Sequence, residues 1–302
     1  MPADARVAPD SASAVAALAA EVAAGSASGT GPWVTIDTTS YSVPVYTVPR
    51  TQPTVVVALE NPRQPALAKA FRAVPLPSTA QPAVGTDGEL VVWQPSTDRM
   101  WEFWRLSNLG GAWSAQWGGA MRDVSRNSGV YGRSVWPGAA PWWGATASSL
   151  PLVGGLVTLE DLRAGKIEHA LAISVPNVRA GLFMFPAHRT DGTSSSPLSL
   201  SEGAHLRLDP TLDLRALHLP RLSLMLAEAA QRYGVYVRDR SPNVGFYGQD
   251  PTPTGVNPYA GPTGYLEGRT PKEVLTSFPL ASLQLLSAGH HVTAGRGAAP
   301  RR

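Results

Sequence analysis

The chain has 302 residues, of which 29 are glycine and 28 proline; 43% are hydrophobic and only 16% charged. That hydrophobic share supports a packed core and argues against wholesale disorder, while the Gly and Pro content disfavours a helical bundle or coiled coil and favours short strands joined by turns. The net charge is +3, the basic residues are almost all Arg and scattered rather than striped, and there is no Cys; a nucleic-acid footprint, disulfides, thiolate metal sites and cysteine nucleophiles all drop out.

From the N-terminus, Ser11 to Ala24 reads as an Ala-rich helix, followed by the Gly/Ser-rich stretch Gly25 to Gly31. Asp4, Asp10 and Glu21 interrupt its apolar character and a basic leader is lacking, so the segment does not read as a signal peptide. Residues 1–30 are therefore expected to form an appendage, 31–288 a single β domain and 289–302 a disordered tail. Nowhere do 18 apolar residues run uninterrupted, so no membrane span is expected.

Beyond Trp33, TIDTTSYSVPVYTVP and TVVVALE carry β-branched residues in strand-like patterns. ELVVWQ, a PSTD turn and RMWEFWRLS predict a hairpin, with Asp98 as a turn former, and GAWSAQWGGAM is a further antiparallel candidate. In TLEDLRAG, Thr158 and Asp161 predict a capped helix closed by Gly165, leading into the strand IEHALAISV. AGLFMFPA and AHLRLD predict a strand pair around a polar loop. PRLSLMLAEAAQRYG predicts a helix with Leu222, Met225, Leu226, Ala229 and Tyr233 on one stripe, and VYVRDRSPNVGFYGQD a second hairpin. The Gly/Pro/Thr-rich segment 248–268 is long enough to expect a mobile lid beside a ligand, and Thr270 with Glu273 predicts a last capped helix before a strand in PLASLQLL. The expected fold is an antiparallel β-sandwich, jelly-roll-like, with a closed barrel as the competing architecture.

Eight of the nine tryptophans lie between Trp93 and Trp143. Indole faces stack on sugar rings and also fill cores, so Trp93, Trp101, Trp104, Trp117 and Trp143 are candidate ligand-binding residues with core packing as the competing role. Trp142 and Trp143 are adjacent, and on extended chain their side chains leave opposite faces. Strand periodicity puts Glu102 between Met100 and Trp104, where it is either a desolvated general acid or half of an ion pair with a partner from elsewhere. His169 is either a site residue or a core His bound to a backbone carbonyl. Arg189, Asp191 and Glu202 crowd a strand connection, where binding groups tend to sit, although Asp191 before Gly192 also suits a turn. Glu102, Asp191, Glu202 and His169 are thus the candidate catalytic residues and Arg189 a candidate ligand contact. No metal or cofactor motif is present, and His290 and His291 lack ligand spacing.

At LPLVGGLVTLEDLRAGKIEHALAISVP, PAHRTDG, EGAHLRLDP, AAQRYGVYVRD and FPLASLQLL the chain resembles a group of β-sandwich proteins from high-GC actinobacteria and their phages, with distant fungal relatives. The resemblance covers roughly residues 85–286 and implies a jelly-roll-like domain acting at an envelope through polysaccharide. The expected function is binding of an envelope polysaccharide along a Trp-rich face, with cleavage if two carboxylates share a cleft. The other expectation is a virion or cell-surface assembly module whose N-terminal helix docks to a larger particle. An extracellular, envelope or virion location suits both.

Overall fold

The computed structural model describes residues 5–60 and 63–287, together with the backbone of 293–294; the predicted tail lies almost wholly outside them. Strands dominate, arranged in three mixed sheets and one two-stranded ribbon with a few helices. The expected purely antiparallel arrangement is corrected, because each larger sheet contains parallel pairs. Among the described residues none of the sheets closes into a barrel.

The chain divides into two compact units, one built from residues 1–37, 155–248 and 258–302, the other from 38–154 and 249–257. No composition shift within the 31–288 stretch announces this interleaved division.

In the first unit a six-stranded sheet runs in the order Val34–Asp37, Val244–Tyr247, Leu171–Val175, Val235–Arg240, His205–Leu208, Leu283–Leu285. Leu171–Val175 is buried along its whole length, as a central strand covered on both faces must be. It lies between Val235–Arg240, which it meets in parallel, and Val244–Tyr247, which it meets antiparallel. The predicted hairpin of these last two strands is therefore not made. Leu182–Phe183 likewise pairs with Thr293–Ala294 and not with His205–Leu208. The helix Arg221–Arg232 buries Leu222, Met225, Leu226 and Ala229 on the predicted stripe and packs on His205–Leu208.

The N-terminal helix, Ser11–Ser28, is part of this unit's core: Ala14, Val15 and Leu18 are buried in it. The seryl Oγ of Ser11 accepts the N–H of Leu285, and Ala8 donates to the Leu285 carbonyl, so the N-terminus seals an edge of the sheet. This replaces the expected appendage. Tyr259 and Tyr265 are buried in the same core, and the N–H groups of Tyr265 and Leu266 donate to the carbonyls of Pro258 and Tyr259, so this part of the expected lid is pinned by its own aromatic side chains. Among the described residues no helix is long and apolar enough to cross a membrane.

The second unit contains the predicted hairpin, Leu90–Gln94 against Arg99–Trp104, with Val91 opposite Glu102. Asp98 adopts the left-handed turn conformation, φ 52°. Val43–Thr47 and Gln249–Asp250 extend this sheet on one side and Trp117–Arg122 on the other. The antiparallel candidate GAWSAQWGGAM forms two strands: Trp117–Arg122 pairs antiparallel with Arg99–Trp104, while Ala112–Ala115 joins Ser107–Leu109, antiparallel, and Val57–Leu59, parallel, in a separate three-stranded sheet.

Candidate functional site

Four of the eight tryptophans of the second unit, Trp101, Trp113, Trp117 and Trp143, are buried. Trp101, Trp117 and Trp143 are at most 4% exposed. The Trp101 indole N–H donates to the Ala70 carbonyl, and half-buried Trp104 donates to Asp87 while the Arg105 guanidinium covers its ring at 4.5 Å. Trp93 is half-buried. Of the adjacent pair, Trp142 is the exposed member, at 49%, and Trp143 the buried one. Half of the indoles expected to pave one face are therefore core instead, as befits side chains with so much apolar area.

Glu102 is wholly buried and its carboxylate is occupied by backbone: Oε1 accepts the N–H of Ala145 at 2.8 Å and Oε2 that of Leu152 at 2.7 Å. Where the sequence left a desolvated acid and an ion pair open, these two hydrogen bonds from the backbone hold both ends of the 145–152 loop. This arrangement gives Glu102 a structural task.

His169 lies just before its strand, where ring Nδ1 meets the Ala170 carbonyl at 2.9 Å and Nε2 meets Asp161 at 3.1 Å. A carbonyl only accepts, so Nδ1 carries a proton, and donation from Nε2 to Asp161 requires the imidazolium. The hydrogen bond from His169 to Asp161 accordingly raises the histidine's pKa against the opposing effect of burial. The Asp161 carboxyl is desolvated, yet hydrogen bonds from His169 and Thr158 outweigh that and hold it below its usual range.

Asp191 and Glu202, by contrast, are brought together, and a third carboxylate joins them. One oxygen each of Asp191, Glu202 and Asp239 lie within 4.8 Å of one another. All three belong to the first unit. Asp239 is presented by a bulge in Val235–Arg240: pairing with the central strand runs from Val237 opposite Ile173 directly to Asp239 opposite Ser174, leaving Arg238 as the extra residue. Arg238 turns its guanidinium onto the Tyr247 ring, 3.4 Å from its centroid. Glu202 is fixed through its backbone, its carbonyl accepting from Met184 and the next N–H, of Gly203, donating to Val237. Gly203 sits at φ 82°, and a Cβ there would fall 1.7 Å from the Met184 carbonyl oxygen, so the close approach requires glycine.

Glu202 is 0% exposed, whereas Asp191 and Asp239 are partly open. Burial, reinforced by the charges of Asp239 and Asp191, pushes the Glu202 carboxyl well above the usual carboxylate range, against the Thr190 hydroxyl and Asp191 N–H that face it. The Arg240 Nε lies 3.8 Å from Asp191 Oδ1. Arg189, two residues before Asp191, is 6% exposed. The same loop carries Phe185, 58% exposed, with His188 edge-on to its ring at 6.2 Å.

A second polar group occupies the sheet in the same unit. Ser174 Oγ is 2.7 Å from Ser241 Oγ and accepts the Gly245 N–H at 3.2 Å. Burial raises the carboxyl of Asp37 to a pKa of about 7, although Arg238 opposes the shift; burial also raises the Tyr247 phenol.

Sequence reasoning found Asp191, Glu202 and Arg189 but missed Asp239, Arg240 and Phe185. Charged residues closing the apolar strand VYVRDR were the available signal for the first two, because a charge inside a strand needs a partner. No protein-family model matches the chain, and no curated protein or solved structure matches it.

Proposed function

We propose that the protein binds an envelope polysaccharide, using the Asp191–Asp239 carboxylates, Arg240 and the loop that carries Phe185. The observation that carries this reading is the company Asp191 keeps: it is clustered with Glu202 and Asp239, paired with Arg240, and placed on the loop that exposes an aromatic ring. Carboxylates and guanidinium groups hydrogen-bond sugar hydroxyls, and an exposed ring offers a face for sugar C–H groups. The expected Trp-rich face supports this less, since three of its five candidate indoles, Trp101, Trp117 and Trp143, are buried.

A hydrolytic reading draws support from the proximity of Asp191 to Glu202, since retaining glycosidases place two carboxyls about 5 Å apart. Binding is the better-supported version, because a general acid must touch the leaving oxygen and Glu202 is sealed from solvent. The assembly reading loses its proposed handle, since the N-terminal helix is committed to the core.

The test is a glycan array on the wild-type chain and on Asp191→Asn, with reducing-end release measured in parallel on wall polysaccharides. The expected result is binding that weakens at least about tenfold in the variant, without release of ends. Release of reducing ends would put hydrolysis in its place, and the absence of any glycan ligand would remove both.

A further inference from the structure

We infer that Asp191, Glu202 and Asp239 form a binding site for a divalent cation of the calcium type. The site shares Asp191 and Asp239 with the glycan reading, but the inference does not depend on that reading, since it concerns the metal alone.

The first support is geometric. Oxygen atoms of three separate carboxylates lie within 4.8 Å of one another. Calcium–oxygen bonds of about 2.3–2.6 Å bridge separations up to that size. The ligand set is all oxygen and irregularly spaced along the chain, which suits a hard cation with flexible coordination and disfavours zinc.

The second support is independent of the clustering. Glu202 is 0% exposed, and neither carboxylate oxygen has a hydrogen-bond donor in bonding geometry. The Thr190 hydroxyl and the Asp191 N–H face the carboxyl without reaching that geometry. Buried carboxylates are hydrogen-bonded, paired with a cation or coordinated to a metal. Arg240 reaches Asp191 at 3.8 Å, longer than a direct hydrogen bond, and is itself a third exposed. A divalent ion would satisfy the buried Glu202 carboxylate as its inner ligand, with the partly open sides of Asp191 and Asp239 leaving room for water or a ligand hydroxyl to complete the shell.

The fold supplies rigid supports for such a site. Asp239 stands on a strand bulge, Glu202 is clamped by the backbone bonds to Met184 and Val237, and Asp191 is set by a turn in which the Gly192 N–H donates to the Thr190 hydroxyl at 2.9 Å.

The experiment is calorimetric titration of the full, chelator-treated chain with calcium chloride and separately with magnesium chloride, without glycan, accompanied by thermal melts. The expected result is saturable binding of one calcium per chain, stronger than magnesium, with a Tm rise of roughly 5 °C at about a hundredfold excess over Kd. Glu202→Gln keeps the shape and removes a charged ligand, so it should lower calcium affinity at least about tenfold and abolish most of the Tm rise. Should that variant fail to fold, Asp239→Asn, at a partly open position, decides the matter by the same two readings. No saturable uptake at millimolar calcium, or uptake unchanged in a folded variant, overturns the site. Glycan binding that fails while calcium binds removes only the functional reading.

Discussion

Glu102 shows how much a single buried carboxylate depends on what its oxygens meet. Sequence periodicity placed it between large apolar residues, which is compatible with a desolvated acid or an ion pair; its oxygens accept two backbone N–H groups, those of Ala145 and Leu152. Backbone partners leave no residue-type signature, so this role was not legible in the sequence. The consequence is specific. Glu102→Gln presents an amide NH₂ to one of two N–H donors, leaving that donor unsatisfied in the interior and weakening the other bond. We expect a loss of about 2–4 kcal/mol of stability, measured by urea unfolding, with glycan and calcium binding by the folded fraction unchanged. A variant of wild-type stability would show that the carboxylate does not hold the loop.

At the scale of elements, signals carried by neighbouring residues were readable and those carried by distant ones were not. The Thr158–Asp161 capping box and Gly165 stop bound the helix Leu159–Ala164 as their sequence spacing predicts. The hairpin at 90–104 followed from alternation and a turn. The pairing of 235–240 with 244–247 failed because an apolar strand from a distant stretch of chain displaced the short-range partner, and burying Leu171–Val175 between them satisfies both faces of that strand. The same helix carries a pH dependence through His169 and Asp161. The raised histidine pKa contributes stability that is complete below the unfolded value near 6.5 and disappears as pH rises through the folded value. The lowered Asp161 pKa contributes stability present above its ordinary value near 3.8 and lost as pH falls through its folded value. The pair is therefore most stabilising between about pH 4 and 6.5. Since His169 is 38% exposed, solvent screening limits the effect; His169→Ala should cost about 0.5 kcal/mol at pH 5.5 and distinctly less at pH 8.5, read from denaturant midpoints at the two values. An equal cost at both would mean that the charged pair contributes nothing.

For the molecule as a whole, the N-terminus is where the sequence reading and the structure differ most. An Ala-rich helix followed by a Gly/Ser stretch has the composition of a detachable arm, and its small side chains give only a faint amphipathic pattern. Yet small residues allow close packing, and Ala14, Val15 and Leu18 are buried in the same core as the sheet strands. Arg6 and Ala8 hydrogen-bond along the chain at Leu285 to Ser287, and Ser11 accepts from Leu285. Removing residues 1–28 would thus delete part of a core and uncover the edge beside Leu283–Leu285. Val15 and Leu18 alone represent about 3–5 kcal/mol of burial, which is a large fraction of the net stability of a domain. An uncovered edge strand also pairs readily with other chains. The truncated chain should melt well below the full-length protein and aggregate on heating, as followed by circular dichroism and light scattering. Were the helix a docking arm, truncation would leave the melting curve unchanged and only attachment to a larger particle would be lost; an unaltered midpoint would therefore restore the assembly reading and refute the integrated helix.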